Sequence, residues 1–278
     1  MVLEKYKQKR NFAKTPEPAG DLTFAAERAR KGASTSSLFF CVQKHLASHL
    51  HYDFRLEYNG VLLSWAVPKG PSLDPKTKRL AMHVEDHPLE YGTFEGVIPE
   101  GYGAGIVMLW DQGTWTPESP DVAASLKKGD LKFTLDGYKL KGSWVLVRTG
   151  GWGGGSGSSG GRSWLLIKHR DDWAGDLDIT EFAPRSVKSD GDFEDILAGD
   201  KPDIWVSHRP AKGGETGAML DAIIKKAAAI KSGTAPAPPA PAARAKSARA
   251  PRKAAKPAAK ATAKSTTGVK KKAAAKRR

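Results

Sequence analysis

The chain has 278 residues, with 45 Lys and Arg against 30 Asp and Glu, a formal charge of +15. Residues 231–278 hold ten Lys, five Arg and no acid, so the other residues balance 30 bases against 30 acids and form a neutral body with a cationic tail, a distribution that points to nucleic acid. The single cysteine excludes an intrachain disulfide and any cysteine-rich zinc module, and the lack of an apolar N-terminal run or of an apolar stretch of about 18 residues argues against a signal peptide or a membrane span.

In chain order, eight segments read as strands: 38–43, 50–58, 61–67, 79–86, 105–111, 131–136, 143–148 and 163–168. Each is rich in Val, Ile, Leu, Phe, Tyr or Trp, and most are separated by Gly, Pro, Asp or Asn clusters. Many short strands at this spacing predict a mainly β body, a barrel or a sandwich. Cys41, inside Leu38-Phe39-Phe40-Cys41-Val42, reads as a buried thiol rather than a nucleophile. Asn59-Gly60 between two strand candidates predicts a type I′ hairpin, because both residues tolerate positive φ. Short helices are expected from a Ser119 cap and Pro120 to a stop at Gly129, over Asp192–Ala198, and over 216–230, where Met219, Leu220, Ile223 and Ile224 make an apolar stripe.

Residues 150–161 contain a literal G-x-G-x-x-G at Gly155, Gly157 and Gly160. A dinucleotide fingerprint requires a helix next. A strand candidate comes next instead, so the segment reads as a hairpin connection. From Thr234 the chain is Ala, Pro, Lys and Arg with almost no large apolar side chain, which predicts a disordered polycation. The expected organisation is a folded body over 1–230 and a basic tail over 231–278.

Five of the seven histidines lie between residues 45 and 87. On a strand, His49, His51, Asp53 and Arg55 share one face, and Leu50, Tyr52, Phe54 and Leu56 take the other. Arg79, His83, Glu85 and His87 share a parity in the same way. Solvated strand faces usually carry Lys, Glu, Thr and Ser. His, Asp and Arg together instead suggest a metal site with phosphate clamps. Two imidazoles and a carboxylate suit Mn²⁺, Fe²⁺ or Zn²⁺. On a straight strand His45 and His51 would lie about 20 Å apart, so both can bind one ion only if the chain bends within Leu46–Leu50, and His49 is a rival on spacing alone.

The runs Val42-Gln43-Lys44-His45-Leu46-Ala47-Ser48-His49-Leu50-His51-Tyr52-Asp53-Phe54-Arg55, Ser64-Trp65-Ala66-Val67-Pro68-Lys69-Gly70 and Val84-Glu85-Asp86-His87-Pro88-Leu89-Glu90-Tyr91 closely resemble the 3′-phosphoesterase module of bacterial DNA ligase D. So do Phe94-Glu95-Gly96, Trp110-Asp111-Gln112-Gly113 and Trp164-Leu165-Leu166-Ile167-Lys168, and the resemblance runs over about residues 5–175. It implies a compact antiparallel β-barrel of about eight strands with short peripheral helices. It also implies a Mn²⁺-dependent enzyme that removes a 3′-terminal ribonucleotide from DNA and then hydrolyses the remaining 3′-phosphate, in double-strand break repair.

Carried over by position, the metal ligands are His45, His51 and Asp53, which ranks His45 above His49. Catalytic and phosphate-contacting positions are His87, Arg55, Arg79, Glu85, Tyr91, Lys69 and Arg10. The resemblance further implies DNA 3′ ends as substrate, Ku and a DNA ligase as partners, a monomer, and a bacterial cytoplasmic, nucleoid-associated location. His87 reads as a general acid or hydrogen-bond donor with its intrinsic pKa near working pH. The ligase nucleophile motif Lys-x-Asp-Gly is missing, since Lys139-Leu140-Lys141-Gly142 lacks the aspartate. The chain departs from the family pattern at His49, usually arginine, and at Asn11, usually aspartate. These departures leave a second reading, a weakly catalytic DNA-end-binding module.

Overall fold

The structure is a computed structural model that describes residues 3–20, 38–149, 161–199 and 214–234. The chain divides into two units, Met1–Pro238 and Pro239–Arg278, and all described residues lie in the first. In chain order the strands are β1 (Leu38–Leu46), β2 (Leu50–Tyr58), β3 (Val61–Val67), β4 (Arg79–His83), β5 (His87–Pro88), β6 (Gly96–Ile98), β7 (Gly105–Pro117), β8 (Asp130–Gly137), β9 (Lys141–Arg148) and β10 (Ser163–Lys168). The helices are α1 (Glu4–Gln8), α2 (Val122–Lys128), α3 (Ile179–Phe182), α4 (Phe193–Gly199) and α5 (Gly214–Lys231), with a 3-10 helix at Leu89–Thr93.

Eight strands pair in the order β1-β2-β3-β4-β10-β9-β8-β7, all antiparallel, and β7 pairs back with β1 to close a barrel. Closure removes the exposed edges of an open sheet. The eight strands expected from the sequence are these eight; β5 and β6 are short additions that pair with β3 and β7. After the glycine-rich segment comes strand β10, with Trp164 opposite Arg148, where a dinucleotide fingerprint would need a helix; residues 150–160 themselves lie outside the described residues. The tail from residue 235 lies outside them too.

Alternation supplies the barrel core. Phe40 and Val42, Phe54 and Leu56, Trp65 and Val67, Phe133 and Leu135 all point inward and are buried. Trp110, Trp115 and Trp144 are fully buried, and their indole N–H groups donate to the carbonyls of Ala183, Glu57 and Lys141. Burying roughly 150–250 Å² per aromatic stabilises by about 4–6 kcal/mol each, before the entropy of ordering is subtracted. A bulge between the Val42/Asp111 and Gln43/Leu109 pairs shifts the parity of β7, so that Ile106, Met108 and Trp110 on one side of it and Trp115 on the other all reach the core.

The local turn chemistry follows the residues. Asn59 (φ 49°) and Gly60 (φ 78°) form the expected turn between β2 and β3. Helix α2 is capped by Asp121, whose side chain accepts from Ala124 N, and not by Ser119; Pro120 stays outside the helix, and Gly129 (φ 81°) ends it. In α5, Met219, Leu220 and Ile223 pack on the core, while Ile224 is 44% exposed and extends the stripe to the surface. Cys41 is fully buried and burial pushes its thiol pKa up to about 12, consistent with an inert side chain.

The outer face of β1–β3 is largely covered, burying Gln43, His45, Asp53, Arg55 and Ser64 and leaving His51 partly exposed. Helix α1, β3 and the 3-10 helix contribute Tyr6, Leu62, Leu89 and Tyr91 to a second apolar cluster. The polar residues that alternate with the barrel core on β1 and β2 are therefore mostly buried as well, and charges in that position require partners.

Candidate metal centre and active site

His45 and His51 meet because the chain reverses between them. They are direct cross-strand partners of the β1–β2 hairpin, and the turn is Ala47-Ser48-His49. Asp53 lies two residues beyond His51 on the same face. His45 Nδ1 is 3.6 Å from Asp53 Oδ2, and His51 Nε2 is 3.7 Å from Asp53 Oδ1. One ligand atom from each residue falls within 4.8 Å of the others, close enough that a small inward shift would place all three on one ion bound at about 2.0–2.2 Å.

The backbone orients both rings. His45 Nε2–H donates to Gly103 O at 2.9 Å and His51 Nδ1–H donates to His49 O at 3.0 Å, which leaves Nδ1 and Nε2, respectively, facing the cluster. His49 contributes its carbonyl, and its side chain is exposed, so it is not the rival ligand that spacing alone allows. Burial lowers the His51 pKa, favouring the neutral ring that a metal requires. Burial alone would raise the Asp53 pKa, but Arg55, then His51 and His45, outweigh it and hold the carboxyl well below the usual carboxylate range.

Arg55 is the hub of this face. It is 2% exposed; Nη2 donates to Asp53 Oδ2 (3.1 Å), Nε to Gln43 Oε1 (2.8 Å) and Nη1 to Ser64 Oγ (2.7 Å). Its guanidinium also lies 4.9 Å from the centroid of the Tyr91 ring. Gln43 in turn donates to the carbonyls of Tyr91 and Phe94, both at 2.9 Å, tying the covering layer to the barrel.

Expected partners of this cluster arrive by an irregular route. The shared parity of Arg79, His83, Glu85 and His87 does not place them on one face, because β4 ends at His83. β3 pairs first with β4, through Trp65/His83, and then with β5, through Leu62/His87, and Val84 N donates to Ser64 O between the two. On β4 the buried apolar residue is Ala81, while Leu80 is 46% exposed. His83 stacks near Trp65 and Trp164, away from the histidine pair.

His87, past this break, is buried beside Arg10. Because arginine only donates, Arg10 Nη2 donates to His87 Nε2 at 3.3 Å, and His87 Nδ1–H donates to Glu85 O at 2.9 Å. Burial, then Arg55 and Arg10, push the His87 pKa well below its ordinary value. The ring is thus neutral and accepting at Nε2, whereas the sequence suggests a pKa near working pH. Arg10 is anchored by Glu17 Oε1 (2.8 Å) and lies 3.6 Å from Glu85 Oε1 through Nη1. Burial would raise the Glu85 pKa, but Lys9 (2.9 Å) and Arg10 outweigh it and lower it.

The structure therefore joins His45, His51, Asp53, Arg55, Arg10, Glu85, His87 and Tyr91 in one network. Among the described residues no hydrogen bond or ion pair links Lys69 or Arg79 to it; Lys69 is exposed after β3, and Arg79 Nε is buried with no hydrogen-bond partner. Three supporting residues escape the sequence reading. Gln43 and Ser64 share the outward parity of their strands and were discoverable from it, whereas Glu17 lies in an irregular segment with no periodic signal.

These features define a closed β-barrel protein with a candidate divalent-metal centre on the outer face of its first hairpin. Residues 43–148 match the DNA ligase D 3′-phosphoesterase domain, and the chain belongs to that domain family. It is 48% identical over 219 residues to the multifunctional non-homologous end joining protein LigD of Pseudomonas aeruginosa, covering 77% of this chain and 24% of that protein. Against the multifunctional non-homologous end joining DNA repair protein LigD of Mycobacterium tuberculosis H37Rv the identity is 43% over 150 residues, 54% of this chain and 18% of the relative. Against the LigD of Mycolicibacterium smegmatis it is 38% over 175 residues, 61% and 21%. The chain thus spans about a quarter or less of the length of these relatives. Among the described residues no helix is long and apolar enough to cross a membrane.

Proposed function

We propose that this chain is a divalent-metal-dependent phosphoesterase that acts on DNA 3′ ends in non-homologous end joining, with Mn²⁺ as its ion. It removes a 3′-terminal ribonucleotide by phosphodiester cleavage and then hydrolyses the remaining 3′-phosphate to a hydroxyl. The observation that carries this reading is the convergence of His45 Nδ1, His51 Nε2 and Asp53 within 4.8 Å beside a buried arginine network. The family membership and the relatives' repair function support it.

An ion bound there would supply Lewis acidity toward a phosphate oxygen or acidify a bound water. The protein's own residues do the rest. Arg55 fixes Asp53 and spends three of its five N–H groups inside the protein, leaving two for substrate. Arg10 and the Glu85 carbonyl hold His87 in one tautomer, and a phosphate oxygen that draws Arg10 forward frees His87 Nε2 to accept or relay a proton. Lys69 and Arg79 contact the phosphate from outside the network. Ku and a DNA ligase are the proposed partners of a monomer working in the bacterial cytoplasm at the nucleoid, with the folded body ending near residue 230.

The test is a primer-template ending in one ribonucleotide, incubated with and without Mn²⁺. The expected products are a shortened strand with a 3′-phosphate, then a 3′-hydroxyl, and His51→Ala is expected to abolish both while retaining DNA binding. Absence of trimming with metal present overturns the enzyme reading. Unchanged end binding together with no turnover in the wild type would favour the end-binding module.

A further inference from the structure

The connection from β6 to β7 brings to the rim of the metal cluster an aromatic ring that the proposed reaction does not use. Tyr102 lies between Gly101 (φ 91°) and Gly103 (φ 80°), both in the left-handed region, and is 50% exposed. The carbonyl of the next residue, Gly103, is the acceptor for His45 Nε2 at 2.9 Å. The loop is therefore tied to a metal ligand at one residue and displays its ring at the neighbouring one. Lys9 Nζ lies 4.2 Å from the centroid of that ring and the Arg10 guanidinium carbon 5.8 Å from it.

Two cavities share Tyr102 and Lys9 as a common wall. One, of about 360 Å³, also borders Arg10 and Lys14 with their partners Glu17 and Glu100; the other, of about 490 Å³, borders Lys5 and Arg162 with Glu85 and Asp86. Both volumes fall in the range of small-ligand sites. A half-exposed ring with Lys9 over one face, and with Lys9 and Arg10 held nearby by Glu85 and Glu17, offers the combination that binds single-stranded nucleic acid: the remaining π-face stacks on any base, and an adjoining phosphate competes with the carboxylates for the cations.

The geometry points to Tyr102 as the stacking platform for the terminal nucleobase of the DNA 3′ strand, holding the last nucleotide so that its phosphate reaches His45, His51 and Asp53. This inference rests on the phosphoesterase reading and names the part of the substrate which that site grips. Because stacking reads no base edge, the platform accepts all four bases alike.

The test uses the full chain and a primer-template carrying 2-aminopurine as its 3′-terminal nucleotide. Binding is followed by anisotropy of a label on the distal end, and stacking by 2-aminopurine quenching. The wild type is expected to quench the probe, Tyr102→Phe to retain quenching and Tyr102→Ala to lose it. In trimming assays Tyr102→Ala is expected to raise KM for the primer by about 5- to 150-fold with a smaller change in kcat, the range that loss of one base-aromatic stack gives. On a primer whose terminal nucleotide is abasic, wild type and Tyr102→Ala are expected to have the same KM. A wild type that binds and trims while quenching the probe no more than Tyr102→Ala overturns this inference alone, and so does a KM difference that persists on the abasic primer. Loss of quenching in Tyr102→Phe also overturns it, in favour of a hydroxyl contact. A wild type that neither binds nor trims overturns the phosphoesterase reading beneath it.

Discussion

Arg55 sits where its removal exposes the cost of the whole arrangement. It compensates the buried carboxylate of Asp53, and Gln43 and Ser64 complete the fork. Replacing it with a neutral residue of similar length leaves Asp53 as an unpaired buried charge, for which breaking such a pair costs about 3–5 kcal/mol. Arg55→Met is therefore expected to lower the unfolding free energy by about that amount in metal-free urea titrations, and saturating Mn²⁺ is expected to restore part of the loss by giving Asp53 a new cation. His87 makes a pH prediction of its own. Its folded pKa is lowered by burial, then by Arg55 and Arg10. Above the unfolded value of about 6.5 the ring is neutral in both states and its contribution to stability is fully present; as pH falls below that, only the unfolded chain takes up the proton. Stability is lost toward the folded pKa at up to about 1.4 kcal/mol per pH unit for this residue. Urea unfolding of the metal-free protein between about pH 7 and about pH 5 is expected to show that loss, and His87→Asn, which keeps a donor for Glu85 O, to flatten it. His83, whose pKa burial also lowers, accounts for part of the remaining slope.

At the scale of elements, the candidate metal centre depends on two connections, the β1–β2 turn and the loop that enters β7. Gly105 passes so close to the carbonyl of Leu46 that a Cβ there would collide with it, and the same loop carries the Gly103 carbonyl that orients His45. Gly105→Ala is expected to displace the loop and weaken Mn²⁺ binding by roughly 10- to 100-fold, the usual loss when an outer hydrogen bond to a ligating histidine is removed. Gly60→Ala is the control: its Cβ meets open space, so it carries only the cost of positive φ, about 1 kcal/mol of stability, with no change in metal affinity. Calorimetric titration of both variants separates the two effects. The strands themselves were legible in the sequence because alternation and turn residues agree on most of them, although β1 and β7 run beyond the expected 38–43 and 105–111 and β4 stops short of residue 86. Parity held for β2, where Tyr52, Phe54 and Leu56 enter the core and His51, Asp53 and Arg55 do not. It failed beyond His83 because two short strands share the edge of β3, and a break between them resets the alternation, which period alone does not reveal. The reversal between His45 and His51 was legible only as a condition, a bend within Leu46–Leu50, because Ala47-Ser48-His49 lacks the Gly, Pro or Asn that marks a turn most strongly and offers only Ser48.

At the scale of the whole molecule, the charge separates into a neutral body and a basic extension, and in the proposed function the two would meet DNA differently. The barrel spends its cations internally: Arg10 on Glu17, Arg55 on Asp53 and Lys9 on Glu85. On the proposed reading, what remains for substrate is a handful of N–H groups around one phosphate, expected to suffice for chemistry at an end but not to retain the protein on a long duplex. Residues 235–278, which come after helix α5 and the last described residue, carry nine Lys, five Arg and no acid. Each phosphate they neutralise adds about 0.9 to the slope of log affinity against log salt. Deleting 235–278, which spares α5 and its contact from Lys226 to Glu194, is therefore expected to weaken binding to a primer-template at low salt and to flatten that slope. At saturating substrate kcat for 3′ trimming is expected to remain that of the intact chain, because the proposed chemistry lies between Arg10 and Tyr91. Anisotropy titrations from about 50 to about 200 mM salt, paired with single-turnover trimming, test both halves. An unchanged salt slope would remove the tail from DNA binding, and a fall in the single-turnover rate would place the tail within the catalytic step.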